Sequence, residues 1–199
     1  MASSTAALGF RAHSGWAALV AIAGPLHSPS VIDRRIIQLC NPETHGSKQP
    51  YHAAEPLAFR DAEKLITGCI KETRQLAHQA LSSAIHDLQQ TGHRIIACGI
   101  LLSSGRTLPT LDRILASHAL IHAAEGEMFR EALVNAARQC TLPVKGVKER
   151  ELYSEAATIL HRSAEQLRSY VSEQGRSLGP PWREDQKCAT LAAWLALSA

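Results

Sequence analysis

The first 40 residues contain three apolar runs separated by short turns with glycine or proline. These runs are residues 6–13, 16–23 and 31–39. Apolar and β-branched runs of this length, joined by tight turns, are typical of consecutive antiparallel strands. We therefore predict a strand meander within residues 1–40, followed by a polar loop over residues 41–54.

Beyond residue 55 the apolar residues follow either helical spacing or unbroken runs. Recurrence three and four positions apart indicates an amphipathic helix, and an unbroken run indicates a strand buried on both faces. The predicted elements are a helix over 55–90, a strand over 94–102, a helix over 108–140, a strand over 144–147, and helices over 154–172 and 182–197. The segment 94–147 is thus a strand–helix–strand unit, and 154–199 holds the C-terminal helices.

Composition and charge describe an ordinary soluble domain. The 199 residues are 45% apolar and 20% charged, so the chain can bury a core and is not disordered. Aromatic residues make up 5%, which argues against stacking platforms for single strands, and the net charge of +3 neither demands nor opposes a nucleic acid partner. No stretch approaches the roughly 20 apolar residues that cross a bilayer, and the dispersed cysteines fit a reducing compartment. We expect one cytoplasmic domain over 1–199 with no membrane partner.

The predicted helix over 108–140 carries ionisable groups where a core helix would carry leucine or alanine. His118, His122 and Glu125 fall on its apolar stripe, so we expect them to face inward. Two histidines four positions apart have the spacing of transition-metal ligands, although the HExxH and CxxC patterns are absent. Three interpretations stay open, namely interior histidines held by Glu125, a catalytic or substrate-binding site, and a metal site. We assign these residues a catalytic role without a metal.

The order of elements is three strands, a helix, a strand, a helix, a strand and two helices. The stretch 8–17, LGFRAHSGWA, looks like a shortened form of the first strand and turn of the Holliday-junction resolvases. Residues 142–144, LPV, followed by Lys145 and Lys148, are similar to a later strand and lysine of the same family. The resemblance implies an α/β, ribonuclease H-like fold with a mixed five-stranded sheet, three antiparallel strands first, and helices on both faces.

The resemblance also implies two magnesium ions held by carboxylates on the first strand, the fourth strand and the last helix. Arg11 stands where the first-strand aspartate belongs, and the strand 95–102 contains no acid. Glu184 and Asp185 remain at the start of the last helix. We therefore expect no cofactor and no standard two-metal chemistry, with Mg²⁺ or Mn²⁺ required only if nuclease activity is retained.

Arg11 and His13 lie two positions apart, so their side chains point to one face of the first strand. We expect that face to meet the helix that carries His118 and His122. A basic cluster there suits a phosphate or carboxylate ligand, although Arg11 could instead pair with a glutamate of that helix, at position 125 or 127. The other residues expected to bind a ligand are Ser104, Glu149, Asp185 and Lys187, which also fit turn, surface-charge or helix-dipole roles.

Three functions follow from these residues. The first is binding of a nucleic acid or a phosphorylated ligand without two-metal nuclease chemistry. The second is a divergent hydrolase or nuclease that uses His118, His122 and Glu125, with a histidine as general base. The third is a structural module that self-associates, as a homodimer, through the long helix over 55–90.

Overall fold

The computed structural model describes residues 4–103 and 107–199, and its strands form a mixed five-stranded sheet. The strands are β1 Ser4–His13, β2 Trp16–Ala23, β3 Ser30–Gln38, β4 His93–Leu102 and β5 Val144–Lys148. Their order is β3-β2-β1-β4-β5. The first three strands pair antiparallel, whereas β4 runs parallel to both β1 and β5. The predicted α/β class and the mixed sheet with three antiparallel strands first are confirmed.

Helices cover both faces of this sheet, as predicted. They are α1 Pro50–Ala54, α2 Phe59–Gln90, α3 Leu111–Leu115, α4 His118–Gln139, α5 Leu152–Leu160, α6 Ala164–Leu178 and α7 Glu184–Leu197, with a 3₁₀ turn at Glu149–Glu151. Among the described residues, no helix is both long and apolar enough to cross a membrane.

Alternate residues of β1 belong to two separate cores. Leu8 and Phe10 pack in a core with α2 and α4, on one face of the sheet. Ala7 packs on the opposite face, in a core with α5, α6 and α7. Because side chains alternate across a strand, every odd-numbered residue of β1 from Ala7 onward points toward the α7 face.

Two glycines allow α7 to lie directly on the strands. A Cβ added at Gly9 of β1 would overlap the backbone carbonyl of Ala189, and one added at Gly99 of β4 would overlap that of Ala192. A side chain at either position would push the helix outward. This close approach brings the first turn of α7 to the carboxyl end of β1, where Arg11 and His13 contact it.

Two predicted helices are each divided in the structure. The prediction of one helix over 108–140 is wrong, because the backbone at Ser117 is extended (φ −143°) and separates α3 from α4. The prediction of one helix over 154–172 is also wrong. His161 adopts a left-handed conformation (φ 52°) that ends α5, and Ser163 then caps α6 with its side chain. Both breaks occur inside a continuous apolar periodicity.

The region between β3 and β4 also differs from its prediction. The predicted loop over 41–54 contains the short helix α1, which begins with Pro50 in its first turn. The long helix predicted over 55–90 starts at Phe59, because Ala58 has an extended backbone (ψ 144°). The helix α1 packs against both α2 and α4, and it brings a histidine to the start of α4.

Candidate functional site

A cluster of charged side chains surrounds the carboxyl end of β1 on the α7 face. We call Arg11, His13, Glu149 and Asp185 the Arg11 cluster. The Arg11 guanidinium donates one hydrogen bond to Asp185 Oδ1 at 2.9 Å and another to Glu149 Oε1 at 2.5 Å. His13 Nε2 lies 2.7 Å from the same Asp185 oxygen. One cation from β1 thus joins a carboxylate of the 3₁₀ turn to a carboxylate of α7.

The carboxylates hold the Arg11 side chain in its charged form. Its side chain is 19% exposed. Burial acts to lower the pKa of Arg11, but Glu149 and Asp185 outweigh burial and raise that pKa above its ordinary value. When His13 is neutral, two carboxylates face one guanidinium, so the cluster as a whole carries one excess negative charge. The Arg11 guanidinium therefore balances part of the negative charge of Glu149 and Asp185.

Two neighbours limit the chemistry that this cluster can perform. The ring of His13 stacks on Trp16, with 4.3 Å between centroids, which fixes its orientation. The Cys188 thiol lies one turn along α7 and donates to Glu184 Oε1 at 3.3 Å. Burial, followed by Glu184, raises the pKa of Cys188 to about 12. This thiol stays protonated near neutral pH and is a poor nucleophile.

A second cluster lies on the other face, where α1 meets the start of α4. We call His52, His118, His122 and Glu125 the histidine cluster. One ring nitrogen from each of its three histidines lies within 4.8 Å of the others. The Nε2 atoms of His118 and His122 are 3.1 Å apart. The ring of His52 meets His118 and His122 edge-on, with centroids 5.1 and 4.6 Å away.

Glu125 lies against His52 and is 2% exposed. Its Oε1 accepts a hydrogen bond from His52 Nδ1 at 2.9 Å and another from the His52 backbone N–H at 3.2 Å. Burial and the nearby Glu125 carboxylate raise the pKa of Tyr51. Glu125 thus anchors both the backbone and the ring of His52.

The structure corrects the predicted orientation of two histidines. Glu125 is buried, in agreement with the apolar stripe, but His118 and His122 are exposed. The break at Ser117 makes His118 the first residue of α4, so the stripe does not run unbroken through it. The carboxylate pairs with His52, which the sequence analysis missed. No periodicity could identify His52, because it lies in a polar segment and meets α4 only in the folded chain.

The two clusters do not converge, contrary to the prediction. Arg11 and His13 are odd-numbered residues of β1 and contact the first turn of α7. The helix α4 packs against the opposite face, beside Leu8 and Phe10. The alternative that Arg11 pairs with Glu125 or with its neighbour at position 127 is also wrong, since its partners are Glu149 and Asp185.

The other residues that were predicted to bind a ligand lie in different places. Ser104 lies outside the described residues. Glu149 and Asp185, predicted separately, meet at Arg11. Lys187 is half-buried on α7, and the described part of the chain offers it no carboxylate within ion-pair distance. Beside Glu149, a cleft of about 270 Å³ is also lined by Leu102, Ser103, Arg130 and Arg150.

Comparison with known proteins gives a structural likeness without a match in sequence. No family model matches the chain, and no curated protein matches it. The structure resembles "T. thermophilus RuvC in complex with Holliday junction substrate", with a TM-score of 0.55 and 10% identity over 96% of this chain and 90% of that one. It also resembles the "Thermus thermophilus RuvC structure", with a TM-score of 0.55 and 12% identity over 95% and 91% of the two chains. The protein therefore has a ribonuclease H-like fold that resembles the Holliday-junction resolvases across nearly all of its length.

Proposed function

We propose that this protein binds nucleic acid at the end of the sheet that carries the Arg11 cluster, and that it does not perform standard two-metal cleavage there. The observation that carries the proposal is the position of the Arg11 guanidinium between the carboxylates of Glu149 and Asp185. The resemblance in sequence to the resolvases implies that Arg11 stands where those two-metal nucleases carry the aspartate of their first strand.

The ion pairs of Arg11 oppose magnesium binding for a simple electrostatic reason. Magnesium prefers carboxylate oxygens that can enter its octahedral shell. Glu149 and Asp185 each give one oxygen to the guanidinium, and β4 supplies no acidic residue. A metal ion on the remaining oxygens would lie close to the Arg11 cation, which repels it. Displacing Arg11 would leave a partly buried cation without its partners, and this is also costly.

Two observations support a nucleic acid as the ligand. One of the structurally similar proteins is described in complex with a Holliday junction. Near the Arg11 cluster, the cleft beside Glu149 is lined by two arginines, Arg130 and Arg150. Arg150 pairs with Glu151 at the surface, with 70% of its side chain exposed. Such exposed pairs contribute little stability, so a phosphate can replace the carboxylate.

The test is a binding assay with a four-way DNA junction and a linear duplex of the same composition, at two salt concentrations. We expect binding that weakens as salt rises, with a slope of about −0.9 for each phosphate contacted. Arg150→Ala should reduce that slope by about 1. Arg60→Ala on α2 is the matched control, because it removes an exposed arginine outside the Arg11 cluster and should leave the slope unchanged.

The same samples, incubated with Mg²⁺ or Mn²⁺, test the second half of the proposal. We expect the DNA to remain intact, and metal-dependent cleavage that is lost in Asp185→Asn would contradict us. If neither DNA binds at low salt, the nucleic acid proposal is wrong, and the cleft would have to bind a smaller phosphorylated ligand or none.

A further inference from the structure

We propose that His52, His118 and His122 form a binding site for one divalent transition-metal ion, with zinc as the preferred ion. Glu125 is the positioning residue that orients His52. This site lies on the opposite face of the sheet from the Arg11 cluster. It therefore goes beyond the proposed nucleic acid binding and does not depend on it.

The spacing of the ring nitrogens fits one small ion. Two imidazole nitrogens bound to tetrahedral zinc at about 2.0–2.1 Å lie about 3.3 Å apart. The Nε2 atoms of His118 and His122 are 3.1 Å apart, already close to this separation. The third imidazole nitrogen lies within 4.8 Å of the other two. A small inward movement of the exposed rings would complete the three-nitrogen set.

The nature of the ligands determines the class of ion. Imidazole nitrogen suits zinc, copper and nickel, whereas magnesium and calcium require oxygen ligands. His118 and His122 come from one helical turn and His52 from a separate helix, a combination of local and distant ligands. Since His118 and His122 are exposed, a fourth position can be filled by water.

Glu125 selects which nitrogen of His52 faces the ion. Its Oε1 accepts from Nδ1 of His52 at 2.9 Å, so Nε2 is left as the ligand atom. Carboxylates that hold a histidine in this way fix its tautomer and ring orientation in known metal sites. Because Glu125 is 2% exposed and also accepts the His52 backbone N–H, the ring has little freedom to turn away.

A purely structural role explains the three rings less well. Interior histidines need hydrogen-bond partners because water cannot reach them. His118 and His122 are exposed and could each be solvated independently, yet their nitrogens point toward one another and toward His52. In the structure one of the Nε2 atoms of His118 and His122 donates a hydrogen bond to the other, and a metal ion that replaces this proton can bind both nitrogens together with His52.

The decisive experiment measures metal binding to the full chain, without an affinity tag and after treatment with a chelator. Calorimetric titration with Zn²⁺ should give one ion per chain, and Mg²⁺ should not compete. The double variant H118A/H122A should bind Zn²⁺ about 100-fold more weakly or worse, because the loss of two ligands should exceed the roughly 10–100-fold lost with an outer-shell partner. The matched control H27A/H86A removes two exposed histidines outside the cluster and should bind like the natural chain.

Two further measurements separate a metal site from a structural effect. Circular dichroism should show that H118A/H122A remains folded, because both side chains are exposed. Glu125→Gln should weaken Zn²⁺ binding by about 10–100-fold and change the visible spectrum of the Co²⁺ form. The inference is overturned if the natural chain binds less than one Zn²⁺, or if H118A/H122A binds as tightly as H27A/H86A.

Discussion

The Arg11 cluster and the histidine cluster lie on opposite faces of one sheet and differ in how their charges are balanced. In the Arg11 cluster, a guanidinium from β1 binds carboxylates from the 3₁₀ turn and from α7. In the histidine cluster, three rings converge, and among the described residues only His52 pairs with the Glu125 carboxylate. The Arg11 cluster thus contains a side-chain cation, whereas the described side chains of the histidine cluster can bind one.

This difference shows why a cluster's function cannot be inferred from its place in the fold. The Arg11 cluster lies where the resemblance implies metal-binding carboxylates, yet a side-chain cation already neutralises part of its negative charge. The histidine cluster lies between α1 and α4, away from that position, and its ligands suit a softer ion. The balance of donors and charges, more than topology, indicates which cluster binds a metal.

The largest effect on stability should come from a substitution that separates α7 from the sheet. This helix supplies Asp185 to the Arg11 cluster, and none of the residues of the histidine cluster belongs to it. In Gly99→Ala the new Cβ would overlap the backbone carbonyl of Ala192. A rigid backbone cannot yield as a side chain can, so we expect the free energy of unfolding to fall by about 3 kcal/mol or more. Urea denaturation measures this loss.

Gly68→Ala is the matched control for that substitution. A Cβ at Gly68 of α2 would meet no atom of the described residues within 4 Å, so the change should stabilise the helix by about 0.5–1 kcal/mol. Equal stability changes in the two alanine variants would show that α7 does not lie directly on β4.

A somewhat smaller effect on stability should come from the binding of Zn²⁺ to the histidine cluster. At a free Zn²⁺ concentration 100-fold above its dissociation constant, the folded state should gain about 2.7 kcal/mol. The natural chain and Asp185→Asn should gain equally, because Asp185→Asn changes the Arg11 cluster on the opposite face and leaves no pair of free carboxylates there, whereas H118A/H122A should gain almost nothing. Denaturant unfolding with and without Zn²⁺ measures the gain, and its loss in Asp185→Asn would mean that the clusters are coupled.

Removing the internal cation should have the next largest effect. Arg11→Ala leaves Glu149 and Asp185 without their shared partner, and we expect a loss of about 2 kcal/mol, less than for a fully buried pair because all three side chains retain some exposure. The freed carboxylates should then bind Mn²⁺, which should restore part of the loss in unfolding experiments. Arg150→Ala removes a largely exposed arginine and should cost about 0.5 kcal/mol or less. A loss that Mn²⁺ leaves unchanged would contradict the view that Arg11 replaces a metal.

The sequence was sufficient to predict most of the fold, because strand patterning and turn signals act over a few residues. The apolar runs placed all five strands, with ends close to those observed. The divided helices were missed because apolar periodicity continues across Ser117 and His161. Serine is a common helix cap, and this signal was available at Ser117 but was outweighed by the periodicity.

The sites were less predictable because their contacts join distant parts of the chain. Burial of Glu125 followed from its place on the α4 stripe, but its partner His52 is 73 positions away. Arg11 meets Asp185 across 174 positions. Both carboxylates of the Arg11 cluster were singled out in the sequence, and only the fold showed that they share one guanidinium.

The last expected effect is a loss of stability at alkaline pH, which is the smallest of these effects only below about pH 9. Burial raises the pKa of Cys98, and burial with Glu184 raises that of Cys188, from 9.0 to about 12 in each case. The folded state therefore keeps these protons at a pH where the unfolded chain releases them. Their stabilisation is complete below about pH 9 and is lost as the pH rises toward 12, by up to about 1.4 kcal/mol per pH unit for each thiol.

Urea denaturation at pH 8, 9 and 10 measures this slope and compares the two faces of the sheet. Cys188 borders the Arg11 cluster, whereas Cys98 lies in the core on the α4 face. Cys188→Ala and Cys98→Ala should each make the decline shallower, and a double variant should make it shallower still. If Cys188→Ala alone has no effect, the thiol beside Arg11 must ionise as easily in the folded chain as in the unfolded one. The guanidinium would then balance a third negative charge in addition to its two carboxylates.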